Sequence, residues 1–263
     1  RFFDVGIAEE HAVAMASGLA MGGKKPVLAL YSTFMQRAID QLIINTALPR
    51  ANVVFAIDRA GLVGDDGPTH HGVFDMVYAR MVPHVKILAP SNEAEVASAL
   101  HTALAIDGPV VLRYPRGEAP GVLMSDRPEL LEEGVSREVK PGTDVAILAF
   151  GRMVDPALKA ATLLEGEGVS ARVVDMRWVK PIDKAAIRSA AETKLVVTVE
   201  DGVIIGGAGE AVTEVLSEEG LKVDSLTLGL PDEFIEQGKV DILFADLGLD
   251  AEGIASQIKA KLA

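Results

Sequence analysis

The sequence FDVGIAEEHAV occupies residues 3–13 and leads an apolar stretch into a predicted helix that runs to Met21. The ten residues from Ala12 to Met21 include no charged side chain, so we expect this helix to be deeply buried. A carboxyl group at the start of such a helix, Glu9, needs an explanation, because an ionised glutamate is rarely buried without a partner. Glu9 could be a functional carboxyl group, or it could be one of the acidic residues that stabilise the dipole in a first helical turn. This stretch alone leaves both interpretations open.

Apolar runs alternate with helical patterns along the whole chain, which predicts an α/β fold. The runs carry little polar alternation, as is typical of parallel strands covered on both faces. We therefore expect two domains, each with a mostly parallel sheet and helices on both faces. The first domain has predicted strands at Phe2–Val5, Pro26–Leu30, Val53–Ile57, Val85–Leu88 and Pro109–Arg113, and predicted helices at Glu9–Met21, Phe34–Ala47, Gly72–Met81 and Ser91–Ala105, the last capped by Ser91.

A change in composition after Arg116 predicts the boundary between the domains. The following stretch carries three prolines and several charges without a clear period, so residues 1–118 and 143–263 are predicted domains and 119–142 a linker. The second domain has predicted strands at Val145–Phe150, Ser170–Asp175, Leu195–Val199 and Val223–Leu228, and predicted helices at Val154–Glu167, Lys184–Glu192, Gly209–Glu219 and Ala251–Leu262.

Composition excludes several classes of function. The formal net charge of −13 and the pI near 4.8 argue against a broad nucleic-acid-binding face, which needs positive charge. The chain has no cysteine, which excludes disulfides, thiolate catalysis and cysteine-bound zinc. No apolar run has transmembrane length, so we expect a cytoplasmic protein with no membrane partner. The chain begins at Arg1 rather than Met, and we expect it to be part of a longer polypeptide.

Polar residues follow several of the predicted strands, where ligands bind in open parallel sheets. Because the carboxyl ends of parallel strands share one edge, these residues should converge there. The groups that we expect at this edge are Glu9, the segment Tyr31–Arg37 with Phe34, the segment Asp58–His71 with Arg59, Asp66 and His70, and the segment Tyr114–Gly117 with Arg116.

Each group also has a simpler interpretation. Tyr31 and Phe34 could be core aromatics, and the arginines could be surface residues paired with some of the many carboxylates. His70 and His71 could bind a metal, although adjacent histidines point apart in extended backbone and lack a third nearby ligand. The glycines of Gly206–Gly209 could hold a phosphate at a helix start, but their spacing matches no nucleotide loop, and close helix packing is the favoured explanation.

Taken together, these residues resemble the thiamine-diphosphate enzymes of the transketolase superfamily, and within it the deoxyxylulose-phosphate synthase family. The resemblance covers essentially the whole chain and corresponds to that family's pyrimidine-binding and C-terminal domains. The stretches that carry it are Asp4–Val13, Tyr31–Arg37, Ala56–Gly72, Arg113–Gly117, Val174–Pro181 and Gly229–Pro231.

The resemblance implies roles around the cofactor, thiamine diphosphate. It implies that Glu9 hydrogen-bonds N1′ of the aminopyrimidine, which favours the tautomer that activates the cofactor. Phe34 then stacks on the pyrimidine, and the catalytic residues Tyr31 and Arg37 lie beside it. The Gly-Asp-Gly motif that binds the diphosphate and Mg²⁺ in this family is not recognisable here. We therefore expect the metal ligands in a preceding N-terminal domain of the same polypeptide.

The resemblance also implies the substrates. Pyruvate loses carbon dioxide, and the remaining two carbons join glyceraldehyde 3-phosphate to form 1-deoxy-D-xylulose 5-phosphate, a precursor of isoprenoids and thiamine. Asp66 and His70 face the reacting carbons, and Arg59 and Arg116 hold the acceptor phosphate, a role suited to guanidinium groups. Family members are dimers, so a homodimer is expected.

Three other interpretations remain open. The chain could be a transketolase small subunit or the β-subunit of an oxoacid dehydrogenase. The segment Ala8–His11 has one more residue than the Arg-Glu-His of transketolase, which favours the synthase family. The chain could also be a non-catalytic dimerisation module, although the presence of Glu9, Phe34, His70 and both arginines argues against that.

Overall fold

The computed structural model describes residues 1–263 as two sheets of five strands each, covered by helices. This confirms the predicted α/β class with two units. The strands are β1 (Val27–Tyr31), β2 (Val54–Asp58), β3 (Lys86–Leu88), β4 (Val110–Arg113), β5 (Arg137–Lys140), β6 (Val145–Ala149), β7 (Ala171–Asp175), β8 (Trp178–Lys180), β9 (Leu195–Val203) and β10 (Asp224–Leu230).

Helices connect the strands in both units. None of them has the length and apolarity that a bilayer crossing requires. The helices are α1 (Glu9–Met21), α2 (Ser32–Met35), α3 (Ile39–Gln41), α4 (Asp75–Arg80), α5 (Glu93–Ala105), α6 (Val154–Gly166), α7 (Lys184–Ala190), α8 (Ala208–Glu218), α9 (Val240–Asp246) and α10 (Ala251–Leu262).

The first sheet has the order β1-β2-β4-β3-β8, and all of its pairs are parallel except β3 with β8. The second sheet has the order β10-β9-β6-β7-β5, and only β5 runs antiparallel to its neighbour. The inner strands β2, β4 and β6 are almost entirely buried, which explains their continuous apolar sequences.

Two short strands differ from the sequence-based division of the chain. Strand β5 lies within residues 119–142, the predicted linker, and pairs with β7 of the second sheet. Strand β8 comes from the second half of the chain but closes the first sheet, where Trp178 lies opposite Leu88 and is fully buried. The second half of the chain therefore contributes an edge strand to the first sheet and also packs against the first unit.

The predicted strand at Phe2–Val5 is wrong, because residues 1–8 form no strand and pair with no neighbour. Phe2 and Phe3 are 90% and 57% exposed, and β1 is the edge strand of the first sheet. A groove of about 1370 Å³ separates this segment from α1 and β1. Helix α1 has the predicted bounds, but only one face is buried, and Met21 is 71% exposed.

Two further details of the first unit differ from expectation. The predicted helix 34–47 is a series of short pieces, with a 3-10 turn at Gln36–Ala38 and a π-helical turn at Leu42–Ala47. Helix α5 is capped by Asn92 rather than Ser91, since the Asn92 Oδ1 accepts a hydrogen bond of 3.0 Å from the Glu95 N–H.

Candidate active site

The carboxyl ends of β1, β2 and β4 lie side by side at one edge of the first sheet. Tyr31 is opposite Asp58, and Ile57 is opposite Arg113 in the parallel register. The residues that follow these three strands are therefore brought together, as the sequence predicts.

Aromatic and histidine rings form the centre of this edge. The rings of Tyr31 and Phe34 stack with centroids 5.3 Å apart and planes at 22°. The ring of His70 meets Phe34 edge to face at 5.4 Å, and the Arg59 guanidinium lies 4.0 Å from the centroid of Tyr31. Phe34 is only partly buried, so its ring can accept a further planar group.

Two arginines from different strands converge on one carboxylate beside these rings. The Asp66 Oδ2 accepts hydrogen bonds from the Nη1 of Arg59 at 3.3 Å and the Nη1 of Arg116 at 3.0 Å. All three side chains are partly exposed, at 23% for Arg59, 50% for Arg116 and 38% for Asp66. Guanidinium groups in this arrangement can take up a phosphate in place of the carboxylate.

The remaining predicted residues, Glu9 and Arg37, make no hydrogen bond, ion pair or ring contact with this group. Glu9 is 7% exposed at the first turn of α1, and its carboxyl group has no hydrogen bond or ion pair within the chain. Arg37 lies exposed on the 3-10 turn and forms no ion pair. The structure does not bring Arg37 into contact with the aromatic rings.

Residues 59–72, which we call the site loop, carry Asp66 and His70. Its base is closed by two reciprocal backbone hydrogen bonds of 2.8 Å between Gly61 and Gly72. Gly72 is required there, because a Cβ atom would overlap the backbone of Arg59 and the side chain of Ser32.

The two adjacent histidines of the site loop have different environments. His70 is partly exposed, and its Nδ1 lies 2.9 Å from the Thr69 hydroxyl. His71 is buried, and its Nδ1 accepts a hydrogen bond of 3.1 Å from the Val63 N–H. Burial lowers the pKa of His71, which keeps the ring neutral as this bond requires. No group of three metal-ligating side chains occurs in the structure.

The glycines at Gly206–Gly209 serve close packing, as the sequence favours. The Glu200 carboxylate occupies the start of α8, where its oxygens accept hydrogen bonds of 2.7 Å from the Ala208 and Gly209 N–H groups. A Cβ atom at Gly207 would overlap this carboxylate. The carboxylate therefore already fills the place that a phosphate would need.

The buried carboxyl group of Glu200 makes folding depend on pH. Burial raises its pKa from 4.5 to about 8, and the two N–H bonds and Arg113 only partly oppose this. Between these values the folded chain binds more protons than the unfolded chain, so Glu200 makes the fold less stable as pH rises.

We expect Glu200→Gln to flatten this dependence, measured by urea unfolding at pH 5.5 and 8.5. The unfolding free energy of the wild type should fall between pH 5.5 and pH 8.5 by at least about 1.4 kcal/mol more than that of the variant. This difference is the equivalent of one pKa unit. The exposed carboxylate Glu218, 64% accessible, provides the control Glu218→Gln. Equal pH slopes in Glu200→Gln and wild type would show that Glu200 stays ionised in the fold.

A buried ion network joins the two units directly behind the site, and sequence reasoning missed it. The Arg113 Nε donates to Asp75 and its Nη1 donates to Asp201, both at 2.9 Å. Asp201 also accepts a hydrogen bond of 2.6 Å from the Nε of Arg152. The available signal was a charged residue within a buried strand, Arg113 as the last residue of β4 and Asp201 inside β9.

Comparisons with known proteins identify the class. The transketolase pyrimidine-binding domain model matches residues 1–121, and the transketolase C-terminal domain model matches residues 134–254. A solved structure described as a split gene transketolase, inactive beta4 tetramer, is 34% identical with a TM-score of 0.85, covering 99% of this chain and 83% of that one. The chain belongs to the transketolase family.

Within this family, the chain is similar to curated 1-deoxy-D-xylulose-5-phosphate synthases. It is 48% identical over 262 residues to the one from Syntrophomonas wolfei and 52% identical over 263 residues to the one from Alcanivorax borkumensis. The matches cover 99% and 100% of this chain but only 41% and 40% of those relatives. This confirms the resemblance, and the chain spans about two fifths of the length of these relatives.

Proposed function

We propose that this chain is the pyrimidine-binding and C-terminal part of a thiamine-diphosphate-dependent synthase that condenses pyruvate, with decarboxylation, and glyceraldehyde 3-phosphate to 1-deoxy-D-xylulose 5-phosphate. The observation that carries the proposal is the meeting of Arg59 and Arg116 at Asp66, beside the stacked rings of Tyr31 and Phe34. Cations for a phosphate and a surface for a heterocycle lie next to each other there.

The residues present fit the pyrimidine half of thiamine diphosphate. Glu9 offers a shielded carboxyl group without an internal partner, and Phe34 offers a partly exposed ring. When bound, this cofactor supplies an acidic thiazolium carbon and an electron sink for decarboxylation. The diphosphate and Mg²⁺ are assigned to the N-terminal domain expected in the same polypeptide.

The side chains at the site then have separate tasks. Glu9 presents its carboxyl group to the pyrimidine nitrogen from a position that is shielded from water. His70 can move a proton through Nε2, since its Nδ1 is engaged by the Thr69 hydroxyl. Arg59 and Arg116 bind the acceptor phosphate, and Asp66 then becomes free to face the substrate. The catalytic roles of Tyr31 and Arg37 stay predictions.

Removing either arginine should weaken acceptor binding selectively. We expect Arg59→Ala or Arg116→Ala, in the complete polypeptide, to raise the KM for glyceraldehyde 3-phosphate about 10- to 30-fold, as for loss of a charge-assisted hydrogen bond. The KM for pyruvate should change far less. Arg188→Ala serves as the control, because Arg188 is 53% exposed and pairs with one carboxylate, like Arg116. A rise in the pyruvate KM alone would show that the phosphate assignment is wrong.

The substrate assignment is tested by assaying the complete polypeptide with thiamine diphosphate and Mg²⁺. We expect carbon dioxide release from pyruvate in step with consumption of glyceraldehyde 3-phosphate, and little transfer from a ketose phosphate donor. Efficient ketose-dependent transfer without carbon dioxide release would reject the synthase.

One observation favours a second candidate, a transketolase small subunit that acts with a separate large subunit. The chain covers 83% of the split gene transketolase structure but only about two fifths of the synthase relatives. The same assay separates the two candidates, because transketolase transfers two carbons from a ketose phosphate without releasing carbon dioxide.

A further inference from the structure

The site loop is held on its far side by the second unit rather than by its own sheet. The Leu62 side chain is fully buried in the core of the second unit. The Gly64 carbonyl accepts a hydrogen bond of 3.4 Å from the Gly238 N–H. The Nε2 of His71 lies 3.4 Å from the Glu236 carbonyl, and its bond to Val63 requires the proton on Nε2. The loop that carries Asp66 and His70 is therefore shaped by both units.

Among these contacts, Arg152 makes the side-chain hydrogen bond that holds the backbone of the site loop. It follows β6, whose neighbours β7 and β9 lie on opposite sides, so it stands at the point of the second sheet where open α/β proteins usually bind ligands. In this chain the site loop of the first unit occupies that ligand-binding position of the second sheet. The Arg152 Nη2 donates a hydrogen bond of 2.8 Å to the Leu62 carbonyl, and its Nε donates to Asp201 at 2.6 Å.

The base of the site loop packs closely against the Arg152–Asp201 pair. The guanidinium of Arg152 is 4.9 Å from the ring of Phe244, and its side chain is only 17% exposed. Gly61 has a φ of 78°, and a Cβ atom there would overlap the Asp201 carboxylate and lie 3.0 Å from the Arg152 Nη2. The backbone at the base of the site loop therefore rests directly on the Arg152–Asp201 pair.

We propose that Arg152 is a positioning residue for the candidate active site, through which the second unit fixes the site loop and so places Asp66 and His70. The proposal rests on the proposed function for its catalytic consequence. It assigns the second unit a task in the reaction although none of its side chains reaches the cluster of Tyr31, Phe34, Arg59 and Arg116.

The geometry of these hydrogen bonds predicts that lysine cannot replace Arg152. Lysine at position 152 would keep an ion pair with Asp201, but a single ammonium group lacks the planar fork that serves Asp201 and the Leu62 carbonyl together. Lysine would rescue the protein if Arg152 only neutralised Asp201. It would not restore the loop if the bond to Leu62 is what matters.

Arg172 offers a matched control within the same unit. It is 14% exposed, and it bonds to the Ser189 hydroxyl at 3.0 Å and the Ser189 carbonyl at 2.7 Å. It makes no contact with the site loop. Arg172→Ala thus removes a similarly buried arginine with a similar number of hydrogen bonds.

The test measures amide hydrogen exchange of residues 61–72 in the complete polypeptide, together with its kinetics. We expect Arg152→Ala and Arg152→Lys to speed exchange in this loop about tenfold or more, while Arg172→Ala leaves it unchanged. In both Arg152 variants kcat should fall about 10- to 100-fold, as for a misplaced catalytic group, with unchanged affinity for thiamine diphosphate.

The exchange readout needs no substrate, so it separates this inference from the proposed reaction. If exchange is faster only in the loop and the protein lacks synthase activity, the positioning role of Arg152 is supported and the proposed function is rejected. Unchanged loop exchange in Arg152→Ala, full rescue by lysine, or equal effects from Arg172→Ala would each overturn the positioning role.

Discussion

Glu9→Gln in the complete polypeptide should lower kcat by at least about 100-fold, the scale for loss of a positioned acid–base group. Glutamine keeps the size and a hydrogen-bonding end, so the pyrimidine should still be bound. It cannot hold a proton that is shared with the ring nitrogen, and the activating tautomer is then disfavoured. The measurement is steady-state turnover, with thiamine diphosphate affinity determined separately by calorimetry, where we expect a smaller change.

The neighbouring residue gives the control for this prediction. Glu10 lies in the same first turn of α1 but is exposed, so Glu10→Gln removes the same charge near the same helix dipole. We expect it to leave turnover nearly unchanged. If both variants lose activity alike, or if Glu9→Gln keeps near-normal turnover, Glu9 is only a dipole partner.

Arg113→Leu should cost about 3–5 kcal/mol of unfolding free energy, the range for removing one partner of a buried charge pair. Arg113 is 3% exposed and its partner Asp75 is 1% exposed, so leucine would leave the Asp75 carboxylate buried without a cation, while Asp201 would keep only its pair with Arg152. Burial already raises the pKa of Asp75. Protonation can relieve the variant, and the loss measured by urea unfolding should shrink as pH falls toward 5.

Arg137 provides the comparison, because it also reaches a carboxylate across the boundary between the units, that of Glu95. It lies 3.2 Å from Glu95 and 3.5 Å from Asp175 but is 44% exposed. Solvent screens such a pair, so Arg137→Ala should cost about 1 kcal/mol or less. Similar losses in Arg113→Leu and Arg137→Ala would contradict the importance of burial here.

The strands and the shared site edge follow from the sequence because both depend on local pattern. Continuous apolar runs such as those of β2 and β6 predict buried parallel strands, and parallel order places Tyr31, Arg59 and Arg116 at one edge. The pairing of both arginines with Asp66 does not follow from that order, because it also depends on how the site loop is held.

The contacts between the units could not be predicted in this way, because they join distant parts of the chain. Trp178 enters the first sheet through β8, a strand of three residues that is too short to show a period. Asp201 pairs with Arg113 across 88 positions, and no pattern in either strand indicates the partner. The error at Phe2–Val5 has a related cause, since an apolar run forms a strand only where it pairs with a neighbour, and residues 1–8 leave the open edge of β1 unpaired.

A crystal structure of the complete polypeptide with thiamine diphosphate, Mg²⁺ and glyceraldehyde 3-phosphate would test the assigned roles of Glu9, Arg59 and Arg116 most directly. We expect the Glu9 carboxyl group within hydrogen-bond distance of the pyrimidine N1′, the ring on Phe34, and the acceptor phosphate between Arg59 and Arg116 with Asp66 released from both. A pyrimidine bound away from Glu9, or a phosphate that leaves the Asp66 ion pairs intact, would contradict these roles.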